Sequence, residues 1–176
     1  MVVMLTVSVL LVVLYVGTAI WVKRRLPESI SAMVYDLPRQ GQWVWTVWLW
    51  ASTYTMTPVL FEFTPDELGS VAHGFATSIL FTGAMPLVKG ERNTAHYVMS
   101  ISAGVFSQLC VLILDYQWLG MWMLFVFLMG SVYIQPNGWL GRAMKGKGVL
   151  VAEFVCWASL VGSLIVKVLE RLWIQQ

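Results

Sequence analysis

Charged residues are scarce in this chain: Asp, Glu, Lys and Arg together make up 11% of its 176 residues. A soluble domain of this length has roughly a quarter of its residues charged, so the composition excludes an ordinary soluble domain. The formal net charge is only +2, and the basic residues lie between apolar runs rather than in a patch of their own. Nucleic acid is therefore not an expected partner.

Cysteine and histidine are also rare, with two of each. Cys110 and Cys156 both lie inside apolar runs, which excludes a disulfide framework or a zinc knuckle. His73 and His96 are predicted near opposite faces of the membrane, separated by most of a ~30 Å hydrocarbon core, so they cannot share a metal ion. The sequence also contains no G-x-S-x-G nucleophile motif. We expect neither a metal nor any other cofactor.

Apolar residues, in contrast, make up 59% of the chain, and the mean hydropathy is +0.74. Runs of about 20 apolar residues between short polar loops are typical of membrane-spanning helices. We predict an all-α, polytopic integral membrane protein, with residues 1–176 forming a single domain, a six-transmembrane-helix bundle in the lipid bilayer. The predicted spans are 2–22, 42–61, 69–88, 96–114, 118–134 and 149–168. The first run has no basic residue before it, which favours a true helix over a signal peptide.

The basic residues predict the orientation of the bundle, because loops rich in Lys and Arg stay in the cytoplasm. Nine of the eleven basic residues follow the first, third and fifth predicted spans. These nine are Lys23, Arg24, Arg25, Arg39, Lys89, Arg92, Arg142, Lys145 and Lys147. Lys167 and Arg171, near the C-terminal end, weakly oppose them. We therefore expect both termini outside a bacterial cytoplasmic membrane.

Small residues predict how two of the spans pack. Ser70, Gly74, Ser78 and Thr82 recur at every fourth position of the third span, and the fourth span carries a similar series. Such series let membrane helices approach closely, so we expect these two spans to form a tight hairpin. The sixth span has a weaker series, which could serve a homo-oligomer or a partner in a membrane complex.

The stretch FEFTPDELGSVAHG, residues 61–74, concentrates carboxylates and a histidine at the predicted outer end of the bundle. Asp66 and Glu67 are suited to capping the third span, since carboxylates favour a helix N-terminus. His73 lies deeper, and an ionisable side chain inside a span usually faces protein or water. We therefore predict an outward-facing polar pocket near this histidine. Its candidate ligand-binding residues are His73, Tyr54, Thr57, Asp115 and Trp50.

A second polar group is predicted at the inner end, where residues of opposite charge alternate along the sequence. Its members are Asp36, Arg39, Glu91, Arg92, His96 and Glu153. Glu153 lies about 6 Å inside its span by the helical rise, and we expect it to pair with His96 or Arg92. Ser29 and Ser31, in the preceding loop, are candidate helix caps.

The segment PESISAMVYDL (residues 27–37), followed by a span and then by Ala72, His73, Gly74 and Pro86, resembles a group of uncharacterised small bacterial membrane proteins. In that group a Ser-Ile-Ser…Tyr loop follows the first helix. The resemblance covers about a third of the chain. It implies a bacterial multi-span protein and indicates no reaction.

Three functions remain open. The first is a non-enzymatic bundle that binds or transports a small molecule or a lipid through the pocket near His73. The second is an intramembrane lipid-modifying hydrolase in which His73 acts with Asp115 or Glu62, since a histidine beside a carboxylate can serve as a general base. The third is a structural or assembly subunit of a larger membrane complex. A hydrated outer cavity that reaches His73 would favour the first two, and a dry, filled bundle the third. We expect binding or transport rather than catalysis.

Overall fold

The computed structural model describes residues 1–24, 26–27, 29–89, 94–114 and 147–175. Five α-helices occur in these ranges: α1 (Val2–Lys23), α2 (Gln42–Phe63), α3 (Gly69–Lys89), α4 (Thr94–Leu114) and α5 (Gly148–Ile174). Three short 3-10 helices accompany them, namely Ser31–Asp36, Arg39–Gly41 and Asp66–Leu68.

The all-α prediction is confirmed, because the regular elements of the described residues are all helices and include no strand. α1 to α4 coincide with the first four predicted spans and α5 with the sixth. The fifth predicted span, 118–134, lies outside the described residues. Of the five described helices, α1, α3, α4 and α5 are long and apolar enough to cross a membrane. α2 has 22 residues, but Gln42, Glu62 and a run of Ser and Thr lower its hydropathy. The six-span count therefore stays a prediction.

Proline and a hydroxyl side chain define the end of α2. Thr64 is extended, with φ −90° and ψ 126°, which is the conformation that a residue before proline prefers. Its hydroxyl donates to the carbonyl of Leu60 at 2.7 Å, which satisfies a group left over at the helix end. Pro65 then leads into Asp66–Leu68, whose two exposed carboxylates precede the first turn of α3. This is where carboxylates favour a helix N-terminus.

α3 and α4 make the most extensive helix–helix contact in the described part of the chain. Small residues permit this contact: Ser78 and Thr82 of α3 are buried, as is Ala103 of α4. At Gly74 a Cβ atom would lie 2.5 Å from the ring of Phe106, so no larger side chain fits without a shift. The hairpin predicted from the small-residue series is confirmed.

Two hydrogen bonds join α1 to α2. Only Leu5 and Ser8 of α1 are buried. The Ser8 hydroxyl donates to the carbonyl of Ser52 at 2.7 Å, and the indole N–H of Trp48 donates to the carbonyl of Leu11 at 2.7 Å. Because lipid tails are as apolar as leucine side chains, such polar contacts and close packing hold membrane helices together.

The apolar core lies between α2, α4 and α5, where Leu60, Val111 and Leu164 are fully buried. A second buried cluster surrounds the start of α2 and contains Val34 and Trp45, both 0% exposed. This second cluster brings the connection between α1 and α2 into the bundle, next to the site described below.

That connection turns back at the end of α1 and is held there. Arg24 adopts the left-handed conformation, with φ 53°, which is a common way to end a helix. The Lys23 ammonium lies 2.7 Å from the carboxylate of Asp36. Residues 29–36 of this connection are called the α1–α2 loop below.

Candidate functional site

His73, the centre of the predicted outer pocket, lies on an exposed side of α3. Its Nδ1 is 2.8 Å from the carbonyl oxygen of Gly69 in the same helix, and its ring centroid is 4.5 Å from that of Phe61. Because a carbonyl only accepts, Nδ1 carries the hydrogen in this contact. A ligand-binding or catalytic role for His73 stays a prediction.

Of the other predicted ligand-binding residues on α2, Tyr54 is exposed, whereas Thr57 and Trp50 have partners of their own. Tyr54 is 79% exposed. The Thr57 hydroxyl donates to the carbonyl of Thr53 at 2.8 Å, within the same helix. The Trp50 indole donates to the carbonyl of Leu80 at 3.1 Å and thereby links α2 to α3. In the described structure the Thr57 side chain therefore bonds within its own helix, and the Trp50 side chain supports the contact between α2 and α3.

Two predicted catalytic candidates remain. Glu62 forms an ion pair with Arg171 near the end of α5, and Asp115 lies outside the described residues. None of the predicted site residues in the described ranges lines the interior cavity described next.

A cavity of about 140 Å³ lies inside the described helices. All five helices and the α1–α2 loop contribute to its lining. The hydroxyl residues among them are Ser31 of the loop and, on the helices, Ser8, Ser52, Thr53, Thr82, Ser100 and Ser107. Each of the six helix hydroxyls donates to a backbone carbonyl, at distances of 2.7 to 2.9 Å. Because these donors are used, the wall that faces the cavity is mainly apolar.

Aromatic rings form much of that wall: Trp45, Trp48, Trp157 and Phe75. Trp45 is fully buried, and its indole nitrogen has no hydrogen-bond partner among the described residues. A buried donor without a partner costs about 1–3 kcal/mol, and a bound acceptor would remove this cost. The cavity is therefore an apolar space with an unused donor on one of its lining residues.

The α1–α2 loop bounds one end of the cavity, and α5 holds the loop there through Glu153. The carboxylate of Glu153 accepts a hydrogen bond from the hydroxyl of Ser29 at 3.2 Å. It also accepts from the N–H of Ser31 at 3.2 Å and from the N–H of Ile30. These N–H groups lie at the start of the 3-10 helix Ser31–Asp36, where a helix has donors without internal partners.

Further contacts fix the chain on either side of this carboxylate. The Ser29 hydroxyl accepts the N–H of Ala32 at 2.9 Å, beside Ile30, which is the N-cap residue of the short helix. The Lys147 ammonium, just before α5, donates to the carbonyls of Leu26 at 2.6 Å and Pro27 at 3.2 Å. Hydrogen bonds therefore hold the connection between α1 and α2 both before and after Ser29.

His96 joins the same loop to α3 and is 0% exposed. Its Nδ1 lies 3.2 Å from the carbonyl of Thr82, and its Nε2 lies 3.1 Å from the carbonyl of Ser31. Pro86, four positions after Thr82, has no N–H, so the helix itself leaves the Thr82 carbonyl without its usual donor. In the tautomer that carries the hydrogen on Nδ1, the imidazole supplies the donor that the proline lacks.

The predicted pairing of Glu153 takes a different form in the structure. Glu153 and His96 both bind Ser31, so they meet through the loop. Arg92, the alternative partner, lies outside the described residues. Glu153 is recognisable in the sequence as an ionisable residue in an apolar run. The contact of the α1–α2 loop with α5, in contrast, is not predicted by any local sequence pattern. Sequence reasoning also missed Trp45, since it is one of ten tryptophans and only its unpaired N–H distinguishes it.

Comparisons with protein-family models, with curated protein sequences and with solved structures give no match. The class of protein is therefore assigned from the helices and hydropathy of the chain itself. Its described residues are helical, and four of their helices are long and apolar enough to span a membrane, as expected of a membrane protein. The cavity is therefore interpreted from its geometry.

Proposed function

We propose that the protein is a six-span integral membrane protein of a bacterial cytoplasmic membrane, with both termini outside. Two observations support this topology. The basic residues concentrate after the first, third and fifth predicted spans, and loops of that composition stay in the cytoplasm. Lys23 and Lys147, which belong to two of these loops, both bind the connection between α1 and α2.

Cysteine labelling tests this orientation. Asp66→Cys lies in the exposed turn before α3, and Arg39→Cys lies in the exposed turn before α2. In intact cells a membrane-impermeant maleimide is expected to label Asp66→Cys, and to label Arg39→Cys only after the membrane is permeabilised. The native Cys110 and Cys156 are buried, so the wild type provides the background. The opposite labelling pattern would invert the topology.

We further propose that the protein binds, and transports across the membrane, a small molecule the size of one aromatic ring that carries a hydrogen-bond acceptor. The cavity between the helices carries this proposal. Its volume of about 140 Å³ is close to that of engineered apolar cavities of about 150 Å³ that accept benzene. The unpaired N–H of Trp45 favours a ligand with an oxygen or another acceptor.

Benzyl alcohol is a suitable probe, because it combines one ring with one hydroxyl. Isothermal titration calorimetry of the detergent-solubilised wild type is expected to detect saturable binding. Ala103→Phe should abolish it, because Ala103 lines the cavity and is buried. Ile101→Phe is the matched control, because Ile101 is on the same helix but 67% exposed. Binding to this control should equal that of the wild type.

Two results would contradict the proposal. If the wild type shows no saturable heat with benzyl alcohol or with the related probe benzylamine, the cavity is not a binding site. If Ala103→Phe binds as well as Ile101→Phe does, the heat comes from partition into the micelle or from another site. Either result would favour the structural or assembly role, for which close helix packing is sufficient.

A further inference from the structure

Glu153 is the charged residue among the described residues that line the cavity. Its contacts with Ser29, Ile30 and Ser31 are all contacts in which the partner donates. Hydrogen-bond donors around a carboxyl group favour its ionised form. In that form Glu153 carries a negative charge at the end of the cavity next to the α1–α2 loop.

That charge has no basic partner in the described part of the chain. The ion pairs found there join Lys23 to Asp36, Lys167 to Glu170 and Arg171 to Glu62. Lys147, which is near the same loop, donates to backbone carbonyls. His96 reaches the loop from α4, and its ring nitrogens lie against carbonyl oxygens too. Neutral donors solvate the carboxylate without cancelling its charge.

A charge in an apolar, partly buried site is costly until an opposite charge compensates it. The lining beside Glu153 also suits a cation, because Trp45, Trp48 and Trp157 present indole rings. The face of an aromatic ring attracts a cation, and tryptophan does so best. A carboxylate and several indoles around a ring-sized space are thus complementary to an organic cation.

We propose that the ligand of the cavity is a small organic cation, a single ring that bears an ammonium group besides the hydrogen-bond acceptor proposed above, and that Glu153 is its counter-charge. This proposal rests on the proposed function, since it names the chemical class bound at the same cavity. The ring would occupy the apolar wall, and the ammonium would lie at the end formed by Glu153 and the loop.

The test compares two probes of nearly equal size, protonated benzylamine and neutral benzyl alcohol, by isothermal titration calorimetry. The wild type is expected to bind benzylamine at least ~10-fold more tightly, which corresponds to about 1.4 kcal/mol. In Glu153→Gln this preference for benzylamine over benzyl alcohol should disappear. Glu170→Gln is the matched control on the same helix, because Glu170 is exposed and pairs with Lys167. It should keep the wild-type preference.

The outcomes separate the two proposals. If both probes bind the wild type equally and Ala103→Phe abolishes both, the cavity is a site and its cation preference is refuted. A benzylamine preference that persists in Glu153→Gln would refute the role of Glu153. Should Glu153→Gln fail to fold, Glu153→Asp keeps the charge and shortens the side chain by one methylene. Its benzylamine preference is expected to fall, and an unchanged preference would overturn the proposal.

Discussion

Replacing Glu153 by alanine is expected to lower the free energy of unfolding by about 2–3 kcal/mol, because one substitution removes the acceptor of three donors. The hydroxyl of Ser29 and the N–H groups of Ile30 and Ser31 all lose this partner. Because the carboxylate is what joins these donors to α5, the α1–α2 loop should separate from that helix. Amide hydrogen exchange in residues 29–36 should therefore become faster.

Glu170→Ala is the matched control for this prediction. Glu170 pairs with Lys167 at 2.8 Å, but its side chain is 52% exposed, so its removal should change stability by at most about 0.5 kcal/mol. Both variants are compared with the wild type by reversible chemical unfolding in the same mixed micelles and by hydrogen exchange with mass spectrometry. Equal small effects of the two substitutions, without faster exchange in the loop, would show that Glu153 does not hold the loop.

Replacing His96 by leucine is expected to cost about 2 kcal/mol of unfolding free energy. Leucine retains an apolar side chain of similar size but has no N–H, whereas a neutral imidazole donates through one nitrogen, and its Nδ1 and Nε2 lie 3.2 and 3.1 Å from the carbonyls of Thr82 and Ser31. A buried acceptor left without a donor costs about 1–3 kcal/mol. The helix cannot compensate at Thr82, because the residue four positions later is Pro86 and has no N–H.

A double-mutant cycle measures the energetic coupling between His96 and Pro86. Pro86→Ala provides an N–H that can donate to the Thr82 carbonyl, so His96→Leu should cost about 1 kcal/mol less in that background than in the wild type. The four unfolding free energies are measured under identical conditions. Strictly additive effects would mean that His96 does not replace the donor that Pro86 lacks. Tyr97→Leu, at a 45% exposed neighbouring position, controls for the loss of an aromatic ring from α4.

The helices themselves were predictable from the sequence. Apolar runs of bilayer length must satisfy their backbone N–H and C=O groups internally, and the predicted starts at residues 2, 42, 69 and 149 agree closely with the described helices. The tight contact of α3 with α4 was also predictable, because Gly74 and its small neighbours recur at helical spacing. The position of Glu153, an ionisable residue inside an apolar helix, was also visible in the sequence.

Residue depth predicted which side chains lie inside a span, but depth does not determine which side of a helix faces the bundle. His73 is inside its predicted span, yet in the structure it is exposed and bonded to Gly69 of its own helix. Tyr54 is likewise exposed. The cavity instead lies beside Trp45 and Glu153, whose depths alone did not distinguish them from other tryptophans and carboxylates.

By itself the sequence determined the class of this chain, the positions of its apolar helices and the small residues that let two of them touch. These properties depend on periodicity and composition within one segment. The tertiary structure alone decided that Ser29 meets Glu153, 124 positions away, and that His96 reaches the Thr82 carbonyl, to which Pro86 cannot donate. In an apolar medium each polar group needs a partner, and the packing of whole helices determines which partner is within reach.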